Sequence, residues 1–361
     1  MRVFLSAGEA SGDAYAAALV REMRRLTDEP LEFEGVGGRL MRAEGVNLVA
    51  DSTSWGAIGV IEAARMLPRV SAQMPTVLAK LRSGPPGVLI PIDFGFVNIR
   101  LARAAKEAGW KVLYFIPPSS WRRNRQGRDL PQITDAISTP FPWSAEILNR
   151  MGANAHWFGH PIRQLLAESG PVTTTVRDSI AVLPGSRRQE IAQHLPLAAR
   201  ALMGRTEVID FIAAPNIGVE RLQAAWRQLA PERRDRFTVA DKYVALRRAK
   251  VAMVCSGTAT LDAALSDCPM VVVWKTSIFN HLVGFAMGLS GKSIGLPNIL
   301  LDERIVPEHV GAFVTGQELS TALDQVLADP QPQLEAFDRL RDLLGPEDAI
   351  TKTAELALSL G

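Results

Sequence analysis

Cysteine is nearly missing from this chain, with Cys255 and Cys268 the only two in 361 residues. Both sit in apolar surroundings, which excludes a disulfide scaffold and a thiolate metal centre. The five histidines are scattered without ligand spacing, so no metal site is expected. No apolar run reaches the ~18 residues needed to cross a bilayer. The N-terminal "VFLSA" is too short for a secretory signal, and a cytoplasmic location is the expectation. A net charge of +2 gives no bulk attraction for nucleic acid. Low-complexity tracts and short-period repeats are absent too.

What is present is core-forming material: 47% of the residues are hydrophobic and 22% charged. Single cores stop growing beyond roughly 250–300 residues, so this length predicts two domains. Short apolar runs ("RVFLSA", "GVLIPI", "KVLYFI", "DSIAVLP", "VAMVCS", "PMVVVW") alternate with helical patterns such as Ala14–Arg25, Asn98–Ala108 and Gln189–Leu202. Buried strands alternating with helices predict parallel α/β sheets. "RVFLSAGEASGD" and "SIAVLPGSRRQE" each run strand, small-residue loop, helix, as the opening unit of a doubly wound domain does. The polar stretch "ESGPVTTTVRDS" separates them, which sets domains at 1–170 and 171–361. "LEAFDRLRDLLG" and "ITKTAELALSL" read as amphipathic helices closing the second.

Ligands in open α/β sheets bind beyond the carboxyl ends of the strands, so residues just after each strand are the candidates. The first loop has Gly8 and Gly12 but not the three glycines of a dinucleotide fingerprint. Glu9 there would repel a pyrophosphate yet could accept from a sugar hydroxyl. Asp93 follows "GVLIPI", where partial desolvation suits a general base; a helix N-cap is the competing role. Gly185, Ser186 and Arg187 start a helix in a way that suits a diphosphate, through amide groups and fixed positive charge. In "CSGTATLDAAL", Ser256, Gly257, Thr258, Ala259 and Thr260 end a strand and open another helix. They could neutralise a leaving diphosphate without metal, and Asp262 could accept from ribose hydroxyls. Ordinary Ser/Thr capping accounts for part of the same pattern.

Two further stretches bear on membranes. Leu67, Val70, Met74, Val77 and Leu81 recur at helical spacing and predict a core face. Ile58, Val60, Ile61 and Met66, with Arg65 and Arg69, could dip into an anionic lipid surface. The segment "IFNHLVGFAMGL" is a second interfacial candidate. Core burial competes with both.

Taken in order, "AGEASGD", "GVGGRLMRAEG", "GAIGVIEA", "ID" at Asp93, "GHPI", "LPGSRRQEI", "SGTATLDAAL", "PMVVVW" and "GLPNILL" resemble the lipid-A-disaccharide synthase family over nearly the whole chain. The resemblance implies two Rossmann-like domains in the GT-B arrangement with a cleft between them. It implies inverting transfer of 2,3-diacylglucosamine from its UDP derivative to 2,3-diacylglucosamine 1-phosphate. It also implies peripheral contact with the inner membrane, a homodimer exchanging C-terminal segments, and no cofactor. By the same comparison Asp93 is the base, and Glu9, Ser11 and Asp13 lie in the acceptor half. Ser186, Arg187, "SGTAT", Asp262 and Asn298 fall on the nucleotide side.

The chain departs from the family at Phe96 and Ser144, where carboxylates are usual, and at Asp262, where glutamate is. Its "PPSSWRRNR" loses a tryptophan and gains positive charge relative to the family pattern. Another two-domain UDP-sugar enzyme, such as a glycolipid transferase or a UDP-N-acetylglucosamine epimerase, and a non-catalytic homologue are the competing readings.

Overall fold

The structure is a computed structural model. It describes all residues except 54, 56–59, 125, 171–175 and 278–291, and the side chains of 60–66. The chain divides into two compact units, Met1–Leu165 with Leu344–Gly361, and Leu166–Leu343.

The first unit is built on seven parallel strands: β1 (Arg2–Ala7), β2 (Glu32–Gly37), β3 (Asn47–Asp51), β4 (Val88–Ile92), β5 (Lys111–Phe115), β6 (Ala136–Thr139) and β7 (Ala155–Trp157). Their order is β3-β2-β1-β4-β5-β6-β7, so the winding reverses between β1 and β4. All five residues of β4 are buried, as a central parallel strand covered on both faces requires. One face carries Trp55, Val70, Met74, Val77, Leu81, Leu101 and Trp110. The expected core face of the Val60–Arg82 helix is therefore present at Val70, Met74, Val77 and Leu81, whereas Leu67 is exposed.

The second unit has six parallel strands: β8 (Ser179–Leu183), β9 (Val208–Ile212), β10 (Arg236–Thr238), β11 (Ala249–Cys255), β12 (Met270–Lys275) and β13 (Glu308–Gly311). Their order, β10-β9-β8-β11-β12-β13, reverses between β8 and β11. Its core gathers Ile180, Val182, Phe211, Trp226, Met253 and Val271.

The last helix differs from the sequence reading, which gave both closing helices to the second domain. The Ala349–Ser359 helix lies on the Ala10–Leu26 helix of the first unit, where Ile350, Ala354 and Ala357 join Ala16, Leu19 and Met23 in one apolar cluster. Polar contacts fix its register: Gln164 Oε1 accepts from the amides of Ile350 (2.8 Å) and Thr351 (3.1 Å), and the hydroxyls of Ser138 and Thr353 meet at 2.7 Å. Amphipathic periodicity shows that a helix has an apolar face, not which unit receives it.

Asp13, one of the expected acceptor-side residues, is a buried structural acceptor. Its carboxylate receives the amides of Gly38 (2.8 Å), Leu40 (2.9 Å) and Met41 (3.2 Å), at the start of the Arg39–Ala43 helix. These are donors a helix N-terminus leaves without intrahelical partners, and the negative charge also suits the helix dipole. Asp13→Ala should therefore destabilise the fold by about 1–3 kcal/mol through unsatisfied buried amides. Urea unfolding reads this directly; an unchanged midpoint would mean water replaces the carboxylate without cost.

Candidate functional site

At the first unit's switch point the ends of β1 and β4 are joined by one buried side chain. The Asn98 amide nitrogen donates to the carbonyls of Ser6 (3.1 Å), Ile92 (3.0 Å) and Asp93 (2.8 Å), and its oxygen accepts from the Ser6 hydroxyl at 2.6 Å. The Tyr114 hydroxyl also donates to the Asp93 carbonyl, at 2.9 Å. Gly8 lets β1 end against the Phe94 ring, since a Cβ there would lie 2.2 Å from it. Asp93 and Phe94 are both left-handed, with φ of 47° and 45°.

This backbone leaves the Asp93 side chain out of the helix cap that was its competing role. The Gly95–Glu107 helix is capped at Phe94, with no side-chain cap bond. Desolvation pushes the Asp93 carboxyl up to about 7; the charge of Glu9 adds to this, and the Phe94 amide opposes it. Glu9 is itself the half-buried N-cap position of the Ala10–Leu26 helix, and Ser11 is half-buried in its first turn. Glu9, Ser11 and Asp93 thus belong to one sheet edge, while Asp13 is spent on backbone. Ser144 is fully buried and donates to Gln126 Oε1 at 3.0 Å.

In the second unit, the loop after β8 is not the open amide cradle its composition suggested. Glu190, three residues beyond Arg187, occupies it. Glu190 Oε2 accepts from the amides of Ser186 (2.7 Å) and Arg187 (3.2 Å), while Oε1 pairs with Arg187 Nη1 at 2.5 Å. Gly185, at φ 120°, allows this approach; a Cβ there would sit 2.4 Å from Glu190 Oε2. What the loop offers a ligand is a guanidinium braced by a carboxylate. His194 braces the same loop: its Nδ1 faces the Pro184 carbonyl at 2.8 Å, and its Nε2 accepts from the Lys275 amide at 3.1 Å. That pairing needs the neutral Nδ1–H tautomer, and burial keeps the histidine pKa below its ordinary value.

The loop after β11 is more open. Ser256 donates to the Ile294 carbonyl at 2.9 Å, and Thr260 donates to the Gly257 carbonyl (2.8 Å) while accepting from the Leu296 amide (3.1 Å). The amides of Gly257, Thr258 and Ala259 have no partner among the described residues. They lie at the start of the Ala259–Leu265 helix, beside the β8–β11 reversal. Asp262 pairs with Lys242 Nζ at 2.8 Å, so its charge is partly compensated.

Asn298 is a clamp, not an open ligand. It is buried; its oxygen accepts from the amides of Ile305 and Val306, each at 2.9 Å. Its nitrogen donates to the Val306 carbonyl and to Glu308 Oε1, each at 2.8 Å. Glu308 in turn takes the amides of Ile294 (3.0 Å) and Gly295 (2.9 Å). Sequence reasoning missed Glu190, His194, Lys242 and Glu308. The S-x-x-E-like spacing of Arg187 to Glu190 was a readable capping signal; nothing local marked Glu308.

Of the lipid-surface candidates, Ile58 and "IFNHLVGFAMGL" lie outside the described residues, as do the side chains of Val60, Ile61, Arg65 and Met66; Arg69 is exposed. Among the described residues no helix is long and apolar enough to cross a membrane.

A family model for lipid-A-disaccharide synthetase matches residues 3–357. The chain is 30% identical to the lipid-A-disaccharide synthase of Syntrophus aciditrophicus, over 99% of this chain and 97% of that protein. It is 32% identical to the lipid-A-disaccharide synthase of Geobacter sulfurreducens, over 91% and 88%. Among solved structures it is similar to UDP-GlcNAc 2-epimerase from Neisseria meningitidis bound to UDP-GlcNAc. The TM-score is 0.62 at 10% identity, covering 99% of this chain and all of that one. Identity that low speaks for the tandem Rossmann-like fold and not for chemistry.

The raised carboxyl of Asp93 has a thermodynamic consequence. Between its ordinary pKa of 3.8 and about 7, the folded protein holds a proton that the unfolded chain has released. Its contribution to stability therefore falls as pH rises through that window. Asp93→Asn removes the titration, and asparagine tolerates the left-handed backbone. Its melting temperature should exceed wild type at about pH 8, with the gap closing below about pH 4. A variant that melts lower at pH 8 would show that the ionised carboxylate has native partners.

Proposed function

Because the chain belongs to the lipid-A-disaccharide synthetase family, we propose that it is an inverting, UDP-sugar-dependent glycosyltransferase of lipid A biosynthesis. The donor is UDP-2,3-diacylglucosamine and the acceptor 2,3-diacylglucosamine 1-phosphate. Asp93 carries the chemistry: it is a carboxyl group held at a sheet switch point, outside any helix cap, with its pKa moved to about 7.

The acceptor hydroxyl oxygen attacks the anomeric carbon and its proton passes to Asp93. The bond from that carbon to the UDP oxygen breaks, and UDP leaves with the electron pair. A general base near neutrality is half ionised at working pH and strong enough to take the proton as the bond forms. Charge growing on the diphosphate is met by Arg187, held by Glu190, and by the amides of Gly257, Thr258 and Ala259. Preorganised donors cost no reorganisation at the moment of transfer. Ser186, Asp262 and Asn298 act beneath this layer, shaping the loops and pairing Lys242. On the acceptor side Glu9 and Ser11 flank Asp93. A diacylated acceptor lies in a bilayer, so the enzyme works in peripheral contact with the inner membrane. The family resemblance extends this to a homodimer, which sedimentation velocity reads.

Asp93→Asn should lower kcat by about 10²–10⁴-fold while leaving UDP affinity nearly unchanged. In the wild type, kcat/KM should rise with pH through about 7 and level off as Asp93 ionises. Glu9→Gln removes the neighbouring negative charge and should move that limb to lower pH. Turnover by Asp93→Asn within about threefold of wild type would assign the proton to another group.

On the donor side, Arg187→Ala loses a charge-assisted bond of about 1.5–3 kcal/mol, so UDP affinity should drop roughly tenfold or more. Calorimetry on the folded variant checks this. Unaltered affinity would take Arg187 out of the nucleotide site.

A further inference from the structure

Two side chains one turn apart on the Arg188–Ala201 helix grip the loop that carries Arg187. Glu190 takes the amides of Ser186 and Arg187 and pairs with the guanidinium. His194, fully buried, takes the other end of the loop at the Pro184 carbonyl, 2.8 Å away. Asn216, in the loop after β9, adds a bond of 2.7 Å to the Ser186 carbonyl.

His194 differs from the other two in the use of its second nitrogen. Nε2 accepts from the amide of Lys275, the last residue of β12, at 3.1 Å. β11 lies between β8 and β12, so one imidazole ties together strand ends on either side of the β11 loop. A backbone amide can only donate and a carbonyl can only accept. The two contacts together therefore fix the proton on Nδ1 and leave Nε2 bare. The other neutral tautomer would set an N–H against the Lys275 amide and a lone pair against the Pro184 carbonyl. Two charges act on the ring: Glu190 on its own helix favours the cation, and Lys275 on β12 opposes it. Trp274 packs beside the ring, with centroids 6.0 Å apart.

The imidazole stands where packing alone calls for an apolar side chain. Ile191, Leu195 and Ala198 of the same helix belong to the second unit's core. Burying two polar nitrogens there costs desolvation that a leucine would avoid, and only their hydrogen bonds offset it.

We propose that His194 is a positioning residue for Arg187: it sets the Pro184 end of the loop so that the guanidinium meets the donor's diphosphate. This rests on the proposed place of Arg187 at that diphosphate. Because His194 is fully buried, it acts through the loop and not on the substrate. A guanidinium–phosphate pair is directional, so a small shift of the loop weakens it.

Calorimetry with UDP tests this across wild type, His194→Leu, Arg187→Ala and the double variant. Leucine fills the site but removes both hydrogen bonds, and UDP affinity should fall roughly three- to tenfold. In the Arg187→Ala background the same change should cost less than about 1.5-fold, because the group it positions is gone. His194→Asn can still donate to the Pro184 carbonyl, with its amide nitrogen near the place of Nδ1. It should bind UDP within about twofold of wild type. Nitrogen-15 spectra of the wild-type imidazole at about pH 7 should show a protonated Nδ1 and a bare Nε2.

A His194→Leu protein that melts lower yet binds UDP like wild type would overturn the proposal, leaving the histidine a structural role only. Equal losses with and without Arg187 would overturn it too, as would an asparagine variant as weak as the leucine one. A ring protonated on Nε2 would remove the geometry beneath it. Unchanged UDP affinity in Arg187→Ala alone would overturn the nucleotide site and this inference with it. The expected UDP losses in a protein that makes no disaccharide would support the positioning role and count against the transferase function alone.

Discussion

The Asn98 amide holds the first unit's switch point together, because it bonds the Ser6 carbonyl near the end of β1 and the Ile92 carbonyl that ends β4 at once. Parallel strands end there with carbonyls that have no further strand partner. A neutral amide satisfies them without adding charge. Asp93 can then sit beside the clamp with its carboxyl group dominated by desolvation, which the Phe94 amide only partly opposes. Replacing the clamp by a cation would satisfy the same carbonyls but would pull the Asp93 pKa down.

The second unit fixes its strand-end loops with opposite electrostatics, through carboxylates that accept amides and not an amide that donates to carbonyls. Its two clamps, Glu190 and Glu308, are carboxylates, and each is consumed by backbone amides and one side chain. Negative charge compensated in this way leaves Arg187 oriented and three neighbouring amides open on the β11 loop. That arrangement favours an anion, whereas the first unit's edge, with Glu9 near Asp93, favours a neutral hydroxyl. The division follows from which side chains the backbone has already engaged.

Much of the fold was legible in the sequence for a physical reason. Strands β1, β4, β5, β8, β11 and β12 lie at or next to the middle of their sheets, and burial on both faces writes them as unbroken apolar runs. The edge strands "NLVAD", "AHW", "RFT" and "EHVG" are short and partly exposed, so they carry no such run. The site was legible to a different degree. Asp93 showed because a polar residue ends an apolar strand. Asp13 and Asn298 have side chains that serve a sugar or a backbone amide equally well, and only their hydrogen bonds separate the two uses. The tail's place on the first unit depended on tertiary packing that no periodicity encodes.

The left-handed pair Asp93–Phe94 explains why an aspartate at this place can be a base at all. Aspartate just before a helix ordinarily accepts from the amides of the first turn. Such bonds favour the carboxylate and hold its pKa below the usual range, which leaves a poor proton acceptor. Here Phe94 takes the cap position with φ 45°, so the helix starts one residue later and carries no side-chain cap bond. Left-handed backbone at a non-glycine residue costs roughly 1–2 kcal/mol. The cost is offset by the Asn98 and Tyr114 bonds to the Asp93 carbonyl, and by Phe94 packing on Gly8. Strain, clamp and glycine therefore act as one device: they move an aspartate off a helix cap and into a partly dry site where its proton is held until about neutral pH.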